Sequence, residues 1–508
     1  MLFLDILRQM ALAAPDKIFI KYDCSEMSYG ELFKQISAAS EKIRQIGYPA
    51  GGICGLMVSN PLNFLILFFA LMQAGCIPIL FNKKTGAGDN QKIISESFIK
   101  SIITDTIFGL DEGFKTSEGN ELKFICPDIE TRVYDPDDLV HETISDGTLF
   151  MLITSGTGGM QKLVKKTANH IDYQSEFLLP QIAVTSDANP LKYYVNVPLW
   201  HSYGLEFGIL GAIYNDAQLF LSDFNFSEES MRDIDFNRIT HLFTVPPFIS
   251  ALTGYKKDKA AKFDCLDMVI SAGMRIPHKT AENFFKTFGF NISSVYGITE
   301  VGCVAFKNAP RSDKAAYIDN NVGTPIYGNE IIILDENGTP AESGKSGRVF
   351  LKKALPDGGY YGKMPAGSVN KFSENNKIFA TDDIGYIDGS GSLHLLGREA
   401  AYINVGGEKI NSFDVETLLK EMNLFKEVLV FGKKDGLLGE KIAAAVVIDE
   451  SNDLSEDKIR ELCKTTMTAI KIPREISIFK KPFPKTATGK IRFDEVMREI
   501  NKLCPGEE

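Results

Sequence analysis

The chain has 508 residues, 55 basic and 66 acidic side chains for a net charge of −11 at pH 7, and 44% hydrophobic against 24% charged residues. At roughly 150 residues per domain this length calls for two to four domains, and so ordinary a composition argues against disorder, low complexity or a fibrous chain. No run of five like charges occurs, so polyanion backbones are disfavoured as partners, and any phosphate or carboxylate ligand must meet locally placed Lys and Arg.

The eight cysteines are scattered without a CxxC pair, which fits reduced thiols in a cytoplasmic protein. Asp5 and Arg8 interrupt the apolar start that an export signal needs. The longest apolar run, Phe64 to Met72, has nine residues; a membrane span takes about 20.

In chain order, Leu32, Ile36, Ala39 and Ile43 share one face of a helix predicted over Tyr29 to Ile46. A strand over Ile53 to Val58, a helix from about Leu62 to Ala74 closed by Gly75, and a strand over Ile77 to Leu80 follow in a βαβ rhythm. Short buried strands at Tyr193 to Val197, His241 to Val245 and Met268 to Ser271 each run into a Gly- or Pro-bearing turn. Open α/β sheets bind ligands just past strand ends. From about Val322 the texture becomes β-rich, with strands over Glu330 to Asp335 and Gly347 to Leu351. After Gly397-Arg398, a segment of about 110 residues has strands near Val428 to Phe431, Lys441 to Ile448 and Glu475 to Phe479, and a helix from Ser455. It reads as a small α+β domain.

Four motifs carry chemistry. Thr154-Ser-Gly-Thr-Gly-Gly-Met-Gln-Lys162 follows an apolar run, and its glycines, hydroxyls and lysine suit a phosphate cradle, although it is neither a Walker A nor a dinucleotide sequence. Ser294-Val-Tyr-Gly-Ile-Thr-Glu300 offers an aromatic face, close backbone approach and hard oxygen donors of the kind magnesium takes. Thr381-Asp-Asp-Ile-Gly-Tyr-Ile-Asp388, with Gly397-Arg398 across a hairpin, offers carboxylate and guanidinium to a diol or phosphate. Pro484-Lys-Thr-Ala-Thr-Gly-Lys490 is a glycine-hinged loop presenting a lysine. Each also has a plain structural reading as a loop, strand end or turn.

Together, in order and spacing, the motifs resemble the adenylate-forming superfamily of acyl- and aryl-CoA synthetases, luciferases and adenylation domains. Its patterns TSGTTGxPK, YGxTE, (Y/T)GD then GR, a Gly-Gly turn and PxTxxGK are met by Thr154 to Lys162, Tyr296 to Glu300, Thr381 to Asp383 with Gly397-Arg398, Gly406-Gly407 and Pro484 to Lys490. Val197 to His201, Val245 to Pro247, Ser271 to Met274 and Val322 to Pro325 add further agreement.

The resemblance implies an α/β fold: a large N-terminal AMP-binding domain over 1–397, with layered sheets and a β-rich subdomain from about 322, and a small mobile α+β lid over 398–508. It implies ATP- and Mg²⁺-dependent activation of a carboxylic acid to an acyl-adenylate, then transfer to a thiol, that of CoA or of a carrier-protein phosphopantetheine. A non-catalytic adenylate-binding protein is the alternative from another class. Thr154, Ser155, Gly156, Thr157, Gly158 and Lys162 would hold phosphates, and Glu300 with Thr157 the metal. Gly273, Met274, Val295, Tyr296, Gly297 and Thr299 would surround the nucleotide, Asp383 and Arg398 would take the ribose and phosphate, and Gly406-Gly407 would admit the thiol. Lys490 would bridge the attacking carboxylate and the α-phosphate. His201, Tyr203, Ala272, Gly297 and Gly302 would line the acid pocket, His201 beside the carboxylate. With no acid in Trp200 to Gly204 to pair an α-ammonium, an aryl or medium-chain acid is expected rather than acetate or an amino acid. The chain departs from the pattern at Gly158, Gln161 and Asp382, and at Ala400 and Ala401, where the family carries polar hinge residues.

Overall fold

The computed structural model describes residues 2–82, 90–91, 93–94, 99–105, 123–125, 135–140, 142–155, 161–184, 190–224, 227–259, 261–312, 320–326, 328–353, 359–362, 372–373, 378–436, 438–449, 454–485 and 491–503. The expected mixed α/β architecture is observed. Two compact units alternate along the sequence: Met1–Ile331, Phe350–Ala380 and Ser390–His394 form the first, and Ile332–Val349, Thr381–Gly389 and Leu395–Glu508 the second.

The first unit holds two large sheets. One has nine strands, in the order Thr324–Pro325, Gly302–Lys307, Ser293–Ile298, Met268–Ala272, His241–Thr244, Lys192–Val195, Gln218–Leu221, Ile18–Tyr22 and Ser25–Ser28. Its central strands, Ser293–Ile298 to Ile18–Tyr22, are parallel. The other has seven, in the order Tyr360–Tyr361, Gln161–Thr167, Thr148–Ser155, Ile77–Leu80, Ile53–Met57, Ser101–Thr104 and Lys123–Ile125.

Helix Tyr29–Ile46 starts on a capping box, with the Ser28 hydroxyl accepting from the Glu31 amide and the Glu31 carboxylate from the Ser28 amide, and stops at Gly47 in the left-handed region. It buries Leu32, Ile36, Ala39 and Ile43, the stripe its spacing predicts. Helix Pro61–Ala74 is apolar nearly all round, so it lies inside: Leu65, Phe68 and Phe69 are fully buried, and Phe150 meets Phe68 edge-on at 5.4 Å. One apolar core takes side chains from both sheets, including Leu56 and Leu152 from the seven-stranded and Val195 and Ile270 from the nine-stranded sheet. At roughly 1.5–3 kcal/mol per buried large apolar side chain, this shared core fixes one sheet against the other.

A further sheet orders Asn329–Leu334, Gly347–Lys353, Ile378–Ile387 and Phe372–Ser373, with Leu393–Arg398 paired to Ile378–Ile387. The second unit contains the sheet Glu408–Asn411, Tyr402–Val405, Gly439–Val447 and Glu427–Asp435, with Glu475–Phe479 parallel to Gly439–Val447. Alternation decides its two faces. Val428, Val430, Ala444 and Val446 pack with Val415, Leu419, Ile459 and Cys463 of two helices, while Phe431, Ala443 and Ala445 pack with Val496 and Ile500 of helix Phe493–Leu503. No described helix is long and apolar enough to cross a membrane, and the six described cysteines carry free thiols.

Candidate functional site

Parallel register aligns Thr244 with Ser271 and Ser271 with Ser294 at the carboxyl ends of three adjacent strands. The Thr244 and Ser271 hydroxyls are buried and have no hydrogen-bond partner among the described residues. Buried polar atoms are seldom left unpaired, so these hydroxyls call for a partner beyond the described side chains, a water or a ligand. Just beyond lie Ala272, buried; Gly273, at φ 77°; and Met274, half-buried. On the next strand Val295 and Tyr296 are buried, Gly297 is exposed, Thr299 is half-buried and Glu300 is buried in the turn after it. Gly297 has a steric reason to be glycine, since a Cβ there would lie 2.5 Å from the Gly302 carbonyl oxygen. At Gly302, φ is 75° and the space a Cβ would take is filled by His170 and Gln174.

In the seven-stranded sheet Thr154 pairs with Lys162 and Ser155 with Gln161, so the phosphate-loop motif joins two antiparallel strands. The Thr154 hydroxyl is a third buried group without a partner among the described residues. Gly156, Thr157 and Gly158 lie outside the described residues. Strand Tyr360–Tyr361 docks on the outer edge, with Tyr360 opposite Val164. Lys162 is therefore diagonal to Tyr360 on the same face, within reach of a long side chain, and its ammonium sits 4.8 Å from the Tyr360 ring centroid. The Tyr360 hydroxyl donates to Glu300 Oε1 at 3.0 Å. Two motif residues, Lys162 from one sheet and Glu300 from the turn after a strand of the other, thus meet at Tyr360, which lies outside the motifs. Glu300 is a lone carboxylate, and among the described residues no cluster of three His, Cys, Asp or Glu side chains occurs. That donor set fits an ion such as magnesium, which takes one or two carboxylates plus substrate phosphates, rather than an all-protein cage.

His201 precedes a π-helical turn, Tyr203–Ile209, a rare element frequent at functional sites. The Tyr203 amide donates to His201 Nδ1 at 3.3 Å, and the Tyr203 hydroxyl donates to the Ile270 carbonyl at 2.7 Å. Burial pushes that hydroxyl's pKa well up. Beneath this turn lies a buried polar network that the motifs did not reveal. The Lys166 ammonium, with 0% of its side chain exposed, is 3.0 Å from Glu206 Oε1. Glu206 also accepts from the Ser202 hydroxyl at 2.7 Å and the Gln174 amide at 2.7 Å. Gln174 in turn contacts His170 Nε2 at 2.6 Å and accepts from the Cys303 amide at 2.9 Å. Burial alone would raise the Glu206 carboxyl, but Lys166, His170, Ser202 and Gln174 outweigh it and hold the pKa below the ordinary value. The network ties the π-helical turn, through Ser202 and Glu206, to the backbone at Cys303, next to Gly302.

In the second unit Asp383 Oδ1 is 3.4 Å from Arg398 Nε, and the Asp383 amide donates to the Thr381 hydroxyl at 2.9 Å. Asp382 lies at φ 64°, in the left-handed region, where glycine rests most easily and Asp is among the few tolerated side chains. Arg398 precedes a short 3₁₀ turn, Glu399–Ala401. Gly406 and Gly407, at φ 61° and 94°, form the two-residue turn between Tyr402–Val405 and Glu408–Asn411. That turn type demands positive φ at both positions. Lys490 lies outside the described residues.

Oxalate–CoA ligase of Arabidopsis thaliana is 26% identical over 96% of each chain. The 2-succinylbenzoate–CoA ligase of Bacillus licheniformis is 26% identical over 96% of this chain and 97% of its own. Among solved structures, o-succinylbenzoate coenzyme A synthetase from Bacillus subtilis, in complex with ATP and magnesium ion, superposes with a TM-score of 0.80 at 20% identity, covering 97% of this chain and 99% of its own. The model of the AMP-binding enzyme family matches residues 7–361, and that of its C-terminal domain matches residues 414–490. The motifs and these two matches agree, and the chain belongs to the AMP-binding enzyme family, the adenylate-forming ligases.

Proposed function

We propose that the protein is an AMP-forming acid–thiol ligase: it activates an aryl or medium-chain carboxylic acid with ATP, releases pyrophosphate, and passes the acyl group to the thiol of CoA. The observation that carries this reading is the meeting of a cation, Lys162, and a buried carboxylate, Glu300, around Tyr360, with the orphaned Thr154 hydroxyl on the strand paired to that of Lys162. A carboxylate attacking an anionic α-phosphate must overcome charge repulsion, so catalysis rests on fixed positive charge and positioning. Lys162 and Thr154 bind the β- and γ-phosphates. Tyr296 lies along the adenine, and Asp383 and Arg398 take the ribose. Glu300 with Thr157 would hold magnesium, which when bound would neutralise phosphate charge. Lys490 contacts both the attacking carboxylate and the α-phosphate as charge develops. His201, its Nδ1 engaged by the Tyr203 amide, presents Nε2–H to the acid's carboxylate. Burial of the nascent anhydride excludes water, which would otherwise hydrolyse it.

The acceptor divides the enzyme readings: a carrier-protein phosphopantetheine shares the thiol arm of CoA. The absence of disulfides among the described cysteines supports a cytoplasmic setting. Thioester formation with free CoA, set against a panel of loaded carrier proteins, tests the acceptor. Turnover with CoA is predicted, and turnover with a carrier alone would overturn it.

A further inference from the structure

We propose that Tyr360 is a positioning residue whose two ends hold two different parts of the nucleotide site: its ring fixes the Lys162 ammonium, and its hydroxyl fixes the Glu300 carboxylate. This rests on the proposal that the site binds MgATP.

Lys162 and Glu300 belong to different sheets, and Tyr360 lies within contact of both. Edge strand Tyr360–Tyr361 is fastened to strand Gln161–Thr167 by its ladder and by the Lys165 amide donating to the Gly359 carbonyl at 3.0 Å. Alternation along the strand sends neighbouring tyrosines to opposite faces. Tyr361 reaches Glu142 at 2.7 Å, while Tyr360 turns to Lys162 and Glu300. An ammonium over a tyrosine face is attracted by the ring quadrupole, which limits the wandering of a flexible lysine. The hydroxyl engages Glu300 Oε1 at 3.0 Å, which restrains the orientation of the carboxylate. Phenylalanine at this position would keep the first function and lose the second; leucine would lose both.

The test compares wild type, Tyr360→Phe and Tyr360→Leu by calorimetric titration with ATP, once with EDTA and once with excess Mg²⁺, alongside the acid KM in ATP–pyrophosphate exchange. Thermal melts confirm folding, and the phenylalanine variant, which preserves the packed ring, keeps the test valid if leucine unfolds the edge. Tyr360→Phe is predicted to bind metal-free ATP as wild type does and MgATP about tenfold more weakly, the scale of a lost hydrogen bond to a charged group. Tyr360→Leu weakens metal-free binding as well, by roughly two- to fivefold, the scale of an exposed cation–π contact. The acid KM stays unchanged in both. Identical behaviour of the two variants, or wild-type affinities in both, would overturn the assignment while leaving the ligase reading intact. A wild-type protein that binds no ATP would overturn both.

Discussion

Removing Lys166 alone should destabilise the first unit far more than removing Lys166 and Glu206 together. With the Lys166 side chain 0% and the Glu206 side chain 4% exposed, neither charge has water to fall back on. Deleting one partner of such a pair costs about 3–5 kcal/mol, whereas apolar replacement of both is often close to neutral. A second route to the magnitude is neutralisation of the stranded partner. Protonating the stranded Glu206 at pH 7 from an ordinary carboxylate value near 4.3 costs up to about 3.7 kcal/mol, at about 1.36 kcal/mol for each tenfold change in the proton equilibrium. The two routes agree.

The sign of the pH dependence follows. In the wild type the Glu206 pKa is depressed, so its contribution is full above the ordinary carboxylate value and is lost as pH falls through the lowered folded value. In Lys166→Met burial dominates and raises the carboxyl, folding takes up a proton, and stability falls as pH rises. The deficit of Lys166→Met should therefore grow from pH 5 to pH 7, by at most about 1.36 kcal/mol per pH unit. Urea unfolding followed by the single tryptophan, Trp200, which packs against the first unit's core, measures it. Lys166→Met/Glu206→Leu should lose less than either single variant. A Lys166→Met deficit under about 1 kcal/mol and flat between pH 5 and 7 would refute the reasoning.

Gly302→Ala should lose about 2 kcal/mol, from left-handed φ and from a Cβ placed 2.6 Å from His170 Nε2, and His170→Ala in that background should restore part of it in the same urea assay. Asp382, at φ 64°, should accept glycine within about 0.5 kcal/mol and lose about 1–2 kcal/mol as valine, read as unfolding of the second unit. Asp383→Ala should raise the KM for ATP about tenfold with a smaller change in kcat, the mark of lost uniform binding, in steady-state exchange. Lys490→Ala should abolish adenylation yet keep most ATP affinity, measured by exchange and calorimetry side by side; near-normal exchange would contradict its assigned role.

Much of this was legible in the chain because the signals are local. The helix Tyr29–Ile46 and the strand Ile77–Leu80 appear with the predicted bounds, since one is written in a 3.6-residue stripe and the other in a short apolar run. The motifs were readable because they are contiguous. What escaped is non-local. Glu300 and Tyr360 lie 60 residues apart, and only the docking of an edge strand brings them together. Alternation puts Lys162, Val164 and Lys166 on one face of a strand, yet nothing nearby in sequence says that Lys166 is buried or that Glu206 awaits it. Gly297 and Gly302, read from sequence as room for an acid, also have packing reasons visible only when Gly302, His170 and Gln174 meet. Asp382 shows the reverse: the departure from the family's glycine is intelligible once its left-handed φ is known.

The central claim is that a carboxylic acid is joined to AMP. ATP–pyrophosphate exchange across a panel of aryl acids, medium-chain acids and short diacids tests it most directly. Acid-dependent exchange is predicted, strongest with an aryl or medium-chain acid, and requiring Mg²⁺. A protein that binds ATP while no acid supports exchange would contradict the account and make the chain a nucleotide-binding protein that has kept the fold without the reaction.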